Sequence, residues 1–409
     1  MQKENFKVVI VGHVDHGKST FIGRLLYDTD SIPPDKIDTI EAACLELGKE
    51  LDFAFITDQI REEREKGITI DTTQIFFYTE KRDYVIIDAP GHKEFMKNMI
   101  TGASQAEGSV LLVDANEGVR EQTRRHAYVL GLLGLKENII LLNKMDLVGY
   151  SQDRYNEVKD EIIKFYESLG IPAKYVIPVS AVQGDNVAIK SENMDWYDGP
   201  TVLEAVDSLQ KKESLEVTHL RFPVQDVYNV DGTKIIAGRI ESGSLKDGDK
   251  LALLPGKREV TISKVHEYLR ERHSAETGEC IGVSLVEDVD VKRGQMLSSL
   301  ESLPSETSQV HATVFWMCPR PIKVGERIVF RCNTQDAPCR IAKISKRIDS
   351  STSELLEENA NALNESEVGE VIIETEQPVI VENFMEIPEL GRFVLEWVGI
   401  IVAGGVVTD

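Results

Sequence analysis

The stretch Gly12-His13-Val14-Asp15-His16-Gly17-Lys18-Ser19-Thr20 decides how the chain is read. It follows the apolar run Phe6 to Val11 and opens the helix-like pattern Ser19 to Leu26. Gly12 to Ser19 fit G-x-x-x-x-G-K-[ST], a loop whose glycines let the backbone fold around a phosphate with its N–H groups pointing inward. Lys18 would reach the β and γ phosphates of a nucleotide, and Ser19 would ligate Mg²⁺. The strand–loop–helix setting argues against a chance glycine-rich turn.

Outward from this loop, the pattern up to residue 212 alternates short apolar runs with long helical stretches. The runs are Phe6 to Val11, Tyr84 to Ile87, Ser109 to Val113, Ile139 to Leu142 and Tyr175 to Val179; Gln122 to Leu133 and Gln152 to Leu169 lie among them as helices. Fully apolar strands separated by helices predict a doubly wound α/β domain with a mostly parallel sheet covered on both faces. Beyond Lys212 the style changes to short strands and glycine turns, such as Ile235 to Ile240, Ser242-Gly243 and Lys246-Asp247-Gly248-Asp249. That spacing predicts two antiparallel β-barrels. The polar stretch Ser302 to Ser308 is read as the linker between them, giving domains at 1–212, 213–303 and 304–409.

Composition agrees with this plan. The chain has 409 residues, 42% hydrophobic and 28% charged, which excludes wholesale disorder. A net charge of −23 opposes broad, nonspecific binding to nucleic acid. The absence of a long apolar run and of a signal-like leader leads to a cytoplasmic expectation. Cys44, Cys280, Cys318, Cys332 and Cys339 are scattered without a Cys-x-x-Cys, so free thiols are expected rather than disulfides or zinc.

Three further motifs join the first. Asp88-Ala89-Pro90-Gly91-His92 ends an apolar strand. Read alone it is a turn, but about 70 residues after a phosphate loop it is placed to act on the ligand, because ligands sit beyond the C-terminal ends of such strands. Asp88 would hold Mg²⁺ through water, the Gly91 N–H would sense the γ-phosphate, and His92 would orient an attacking water. Asn143-Lys144-Met145-Asp146 ends another strand. A single carboxylate accepts both the N1–H and the 2-amino group of guanine, whereas adenine would leave its acceptors unpaired, so Asp146 points to guanine. Lys144 would lie along the base, Asn143 would brace the loop, and Ser180-Ala181 would offer a backbone N–H to O6. In Arg64-Glu65-Lys66-Gly67-Ile68-Thr69-Ile70, Thr69 would complete the Mg²⁺ shell while the γ-phosphate is present and let go on hydrolysis.

With Gly67-Ile68-Thr69-Ile70 and Asn98-Met99-Ile100-Thr101-Gly102 added, these motifs make the whole chain resemble the translational GTPase superfamily of elongation factor Tu and elongation factor 1-alpha. The resemblance implies a P-loop GTPase domain followed by two antiparallel β-barrels, GTP or GDP with Mg²⁺ as ligands, and His92 with Val14 beside it at the hydrolysis site. His13, Asp15, His16 and Thr20 belong to the nucleotide loop on the same ground. Lys18, Thr69 and His92 are then the catalytic candidates, and Ser19, Thr69 and Asp88 the Mg²⁺ candidates.

Smaller features are similar to the GTPase subunit of heterodimeric sulfate adenylyltransferase: Gln122-Thr123-Arg124-Arg125-His126, Asp52 to Asp58, Leu254-Pro255-Gly256-Lys257, Leu285 to Gly294, Val314 to Met317 and Ile348 to Thr352. They imply GTP hydrolysis that drives formation of adenylyl sulfate from ATP and sulfate on a separate small catalytic subunit. Ordinary barrel strands, and a helix surface at Arg124, Arg125 and His126, are the plain readings of the same residues. Charge leans the same way: from Ile348 to Gly391 there is no Lys or Arg, while Glu recurs from Glu354 to Glu389. An acidic barrel face would meet tRNA phosphates poorly and suit a basic protein. The alternative is a translation GTPase that delivers aminoacyl-tRNA to the ribosome.

Overall fold

The computed structural model describes residues 5–35, 37–38, 53–57, 73–88, 106–211, 219–230, 232–267 and 270–408. The chain divides into two compact units, one running through Lys212 and one from Glu213 onward, with Ser350–Ser353 grouped with the first.

The first unit is built on one six-stranded sheet. Its strands are β1 (Asn5–Gly12), β2 (Thr73–Tyr78), β3 (Asp83–Asp88), β4 (Gly108–Asp114), β5 (Asn138–Asn143) and β6 (Tyr175–Pro178), in the order β2-β3-β1-β4-β5-β6. All neighbours are parallel except the β2–β3 pair. Val9, Leu111, Ile140 and Leu141 are fully buried, as strands covered on both faces require. The helices are α1 (Lys18–Asp28), α2 (Glu121–Leu132), α3 (Gln152–Ser168) and α4 (Val202–Asp207). α3 starts at Ser151, whose hydroxyl accepts from the Arg154 N–H, and α4 at a capping box of Thr201 and Glu204. α1 packs against helical residues 53–57 so closely that a Cβ on Gly23 would lie 1.9 Å from the Phe53 carbonyl oxygen.

The edge strand β2 lies between the first helix and Tyr84, outside the apolar runs that predict the sheet. In β2, Ile75 and Phe77 are buried while Phe76 and Tyr78 stand half exposed. An edge strand with one covered face alternates, and large residues on its open face hide that alternation.

The parallel strands place Gly12, Asp88, Asp114 and Asn143 along one edge of the sheet, with Ile10 opposite Asp88 and Asp114 opposite Asn143. The chain leaves β1 toward β3 on one side and leaves β4 toward β5 on the other. This reversal makes a crevice at the strand ends between β1 and β4.

The second unit holds two closed barrels. The first uses β7 (Arg221–Val230), β8 (Thr233–Arg239), β9 (Lys250–Leu254), β10 (Arg258–Glu267), β11 (Cys280–Leu285) and β12 (Met296–Ser299), in the order β9-β12-β7-β8-β11-β10 and back to β9. The second uses β13 (Ser305–Trp316), β14 (Arg327–Cys332), β15 (Gln335–Asp349), β16 (Glu367–Val381), β17 (Arg392–Trp397) and β18 (Ile400–Val407), in the order β14-β17-β18-β13-β16-β15 and back to β14. Ala252, Leu254 and Met296 of one barrel pack with Ile380, Ile387 and Leu390 of the other. Beside them the buried Arg221 guanidinium donates to Glu382 at 2.6 Å and to Ser298 Oγ at 3.0 Å. The expected linker over Ser302–Ser308 is shorter than predicted, because Ser305, Glu306 and Thr307 pair with Val381, Ile380 and Val379 as the start of β13. Polar side chains do not stop a strand whose backbone finds a partner.

Candidate functional site

The phosphate loop is held in shape by its backbone and by its neighbours. Asp15 and Gly17 have φ of 64° and 86°, and Gly17 caps α1. Gly17 is needed twice over, for that backbone conformation and because a Cβ there would lie 2.4 Å from Asn143 Nδ2. Asn143 does the bracing: its Nδ2 donates to the His16 carbonyl at 2.9 Å, and its Oδ1 accepts from the Ala181 N–H at 3.0 Å. Ser180 Oγ donates to Asp146 Oδ1 at 2.6 Å. Three segments far apart in sequence, 12–20, 143–146 and 180–181, are thus tied into one cluster at the crevice.

Lys18 Nζ lies 2.9 Å from Asp88 Oδ1, joining the loop to the end of β3, and both side chains are largely buried. Thr57 Oγ1 donates to the Ser19 carbonyl at 2.9 Å. Val14 and Thr20 flank these contacts half-buried, as does His13, whose ring meets the His16 ring edge-on at 5.1 Å. Thr69, Gly91 and His92 lie outside the described residues, as do 64–70 and Asn98 to Gly102.

Two features near these strand ends differ from the sequence expectation: Asp114 belongs to no motif, and the plain reading of the Gln122–His126 run is helix surface. Asp114, at the end of β4, is 1% exposed. Its Oδ1 accepts from the Asn116 and Glu117 N–H groups at 2.7 and 3.2 Å, and its Oδ2 meets Lys144 Nζ at 2.8 Å. Burial works to raise its pKa, but the Lys144 contact and the two N–H donors outweigh burial and hold the carboxyl below the usual range. The available signal was position: like Asp88 and Asn143, it is a polar residue closing an apolar strand.

The second is the buried face of α2. Gln122, Thr123 and His126 are buried, and Gln122 Nε2 lies 3.3 Å from His126 Nε2. Arg124, which pairs with Glu161, reaches solvent, Arg125, which pairs with Glu121, is mostly covered, and His126 is buried, so the surface reading of this run is corrected. Burial first, and then the charges of Lys18, His13 and His16, push the His126 pKa down to about 3. His16, wholly buried, is also lowered, again chiefly by burial. Both imidazoles are neutral at pH 7.

Ser19 and Asp88 offer hard oxygen donors beside the loop, which suits Mg²⁺. Among the described residues no group of three or more His, Cys, Asp or Glu forms a cage for a metal. Mg²⁺ needs none, since it takes one or two protein oxygens and completes its shell with phosphates and water.

A phosphate-type loop tied to two further strand-end segments in the first unit, and two β-barrels later in the chain, are the parts of a multidomain GTP-binding protein. The family described as the elongation factor Tu GTP binding domain matches residues 3–212, and the GTP-eEF1A C-terminal domain-like family matches 309–408. Elongation factor 1-alpha of Archaeoglobus fulgidus is 39% identical, covering 100% of this chain and 98% of its own length. That of Pyrococcus woesei is 40% identical over 99% and 97%, and that of Methanoculleus marisnigri 37% over 100% and 98%. A sup35 structure complexed with GDP aligns with 100% of this chain and 94% of its own at 26% identity, with a TM-score of 0.46. The chain belongs to the elongation factor Tu/1-alpha superfamily of translational GTPases, whose ligands GTP, GDP and Mg²⁺ are also its own.

These relatives overturn the expectation of a sulfate adenylyltransferase subunit, and with it the small catalytic subunit as partner: full-length relatives carry the elongation factor 1-alpha name. The charge argument behind that expectation also fails on physical grounds. On the second barrel Glu370 pairs with Lys346 at 3.0 Å, Glu374 with Arg340 at 2.5 Å, Glu376 with Arg327 at 3.0 Å and Glu357 with Arg347 at 3.3 Å. The cations that balance the acidic run stand on β14 and β15.

Proposed function

We propose that this chain is a translation GTPase of the elongation factor 1-alpha type, a cytoplasmic protein that binds aminoacyl-tRNA in its GTP state and delivers it to the ribosome. One observation carries this reading: identity of 37–40% to elongation factors 1-alpha extends over essentially the whole chain, barrels included. The domains are 1–212, 213–303 and 304–409. No helix among the described residues is long and apolar enough to cross a membrane.

In this reading Asp146 accepts the guanine N1–H and 2-amino group, Ala181 donates its N–H to O6, and Lys144 lies along the base. Gly12 to Thr20 wrap the phosphates. Lys18 and Asp88, which hold each other at 2.9 Å, exchange partners on nucleotide binding. Lys18 would serve the β and γ phosphates, and Ser19, Asp88 and Thr69 would hold Mg²⁺, which would supply positive charge against those phosphates. Gly91 senses the γ-phosphate, and His92 orients the attacking water. Loss of the γ-phosphate would free Thr69 and so end the GTP state.

The test is nitrocellulose retention of labelled aminoacyl-tRNA by the purified chain. Retention with GTP and its loss with GDP are expected. Equal, weak retention with both nucleotides, in a preparation that binds GTP, overturns the translation role.

A further inference from the structure

From the geometry at the end of β4, we infer that Asp114 is a positioning residue for guanine nucleotide binding, acting through Lys144. The inference rests on Lys144 lying along the base.

Lys144 caps the short helical turn Met145–Val148 with φ of 63°, a left-handed conformation in which lysine is uncommon. A flexible four-carbon stem loses rotamer freedom when it is fixed flat against a ligand, and a strongly hydrated ammonium resists leaving water. Asp114 answers both problems. Its Oδ2, 2.8 Å from Lys144 Nζ, gives the ammonium a buried counter-charge, and anchoring that far end stretches the stem before a base arrives. The anchor is itself rigid. Oδ1 is pinned by the Asn116 and Glu117 N–H groups, and the Asp114 backbone N lies 3.2 Å from Nδ1 of the buried His16 in the phosphate loop. Asp114 therefore connects the base-side lysine to the phosphate side of the same site. Pre-ordering of this kind lowers the entropic cost of binding and slows release.

A double-mutant cycle separates this role from a merely structural one. Asp114→Asn keeps an oxygen for the two N–H groups and replaces the charged acceptor facing Lys144 with an NH2 that cannot accept from its ammonium. Release of fluorescent mant-GDP is followed by stopped flow in the full-length chain, in Asp114→Asn, in Lys144→Ala and in the double variant. The expected result is release about tenfold faster in each single variant, the size of one charge-assisted hydrogen bond, and no further gain in the double. Release unchanged in Asp114→Asn while Lys144→Ala accelerates it overturns the inference. So do effects that multiply in the double, which would mean that Asp114 acts through its own loop. If Lys144→Ala itself releases mant-GDP at the parent rate, the placement of Lys144 on the base fails, and the inference fails with it. Should Asp114→Asn not fold, Asp114→Ser, which retains a hydroxyl acceptor for the Asn116 N–H, carries the same cycle.

Discussion

The nucleotide site and the Glu-rich part of the second barrel use similar charges in opposite ways. At the site, Lys18–Asp88 and Lys144–Asp114 each have a carboxylate side chain 2% exposed. On the barrel, the side chains of Arg340–Glu374 are 56% and 36% exposed, and those of Arg327–Glu376 are 86% and 51%. A buried ion has given up its water, so its partner is indispensable; a solvated ion keeps its water and barely needs one. The first arrangement is held together by its pairing. The second neutralises a surface. Net charge and residue counts treat the two alike, which is why an acidic run read from sequence said less about partners than it promised.

The largest effect should come from removing a buried cation. Lys18→Ala is expected to weaken GDP and GTP binding roughly a hundredfold, the loss of a charged hydrogen bond of about 3 kcal/mol. Equilibrium titration with mant-GDP measures it. A loss under threefold would mean that the Lys18–Asp88 pair is a structural bridge and that the contrast between the two regions does not extend to ligand binding.

Next in size is a proton effect in the same unit. His126 has a pKa of about 3 when folded and 6.5 as its ordinary value. Below pH 6.5 the unfolded chain binds a proton that the folded chain refuses. The stability contributed by neutral His126 is therefore complete above pH 6.5 and drains away as pH falls toward 3, by up to about 1.4 kcal/mol per unit. Between pH 6.5 and 5 the loss is about 2 kcal/mol, and His16, also lowered by burial, adds in the same direction. Urea unfolding at the two pH values should show a shallower dependence in His126→Gln than in the parent. Parallel curves would show that the imidazole is solvated after all.

What could be read from sequence follows the same division. That Gly12 to Ser19, Asp88 and Asn143 to Asp146 gather at the ends of β1, β3 and β5 was legible because each stretch follows an apolar strand and fits a motif of recognisable spacing. The roles of Asp114 and His126 were not, since the partner of Asp114 lies at Lys144, 30 residues on, and nothing in the run around His126 marks that side of its helix as the buried one. The parallel sheet was legible from Val9, Leu111 and Ile140, where every position is apolar. Strand β2 was not, because Phe76 and Tyr78 face outward. Glu370, Glu374 and Glu376 looked unbalanced because strand pairing, and not chain proximity, brings them Lys346, Arg340 and Arg327.

The smallest effect belongs to that acidic strand. Arg340 directs both Nε and Nη2 to one oxygen of Glu374, at 2.7 and 2.5 Å, so the geometry is good. If geometry alone set the energy, Glu374→Gln would cost as much as losing a buried partner. Because water solvates both ends, the expected cost in urea unfolding is below about 0.5 kcal/mol, and it should shrink further in 0.5 M salt. A loss above about 1 kcal/mol that persists in salt would place Glu374 with Asp88 and Asp114 as a desolvated charge. The difference between the regions would then lie in the partner's position along the chain, and not in exposure to water.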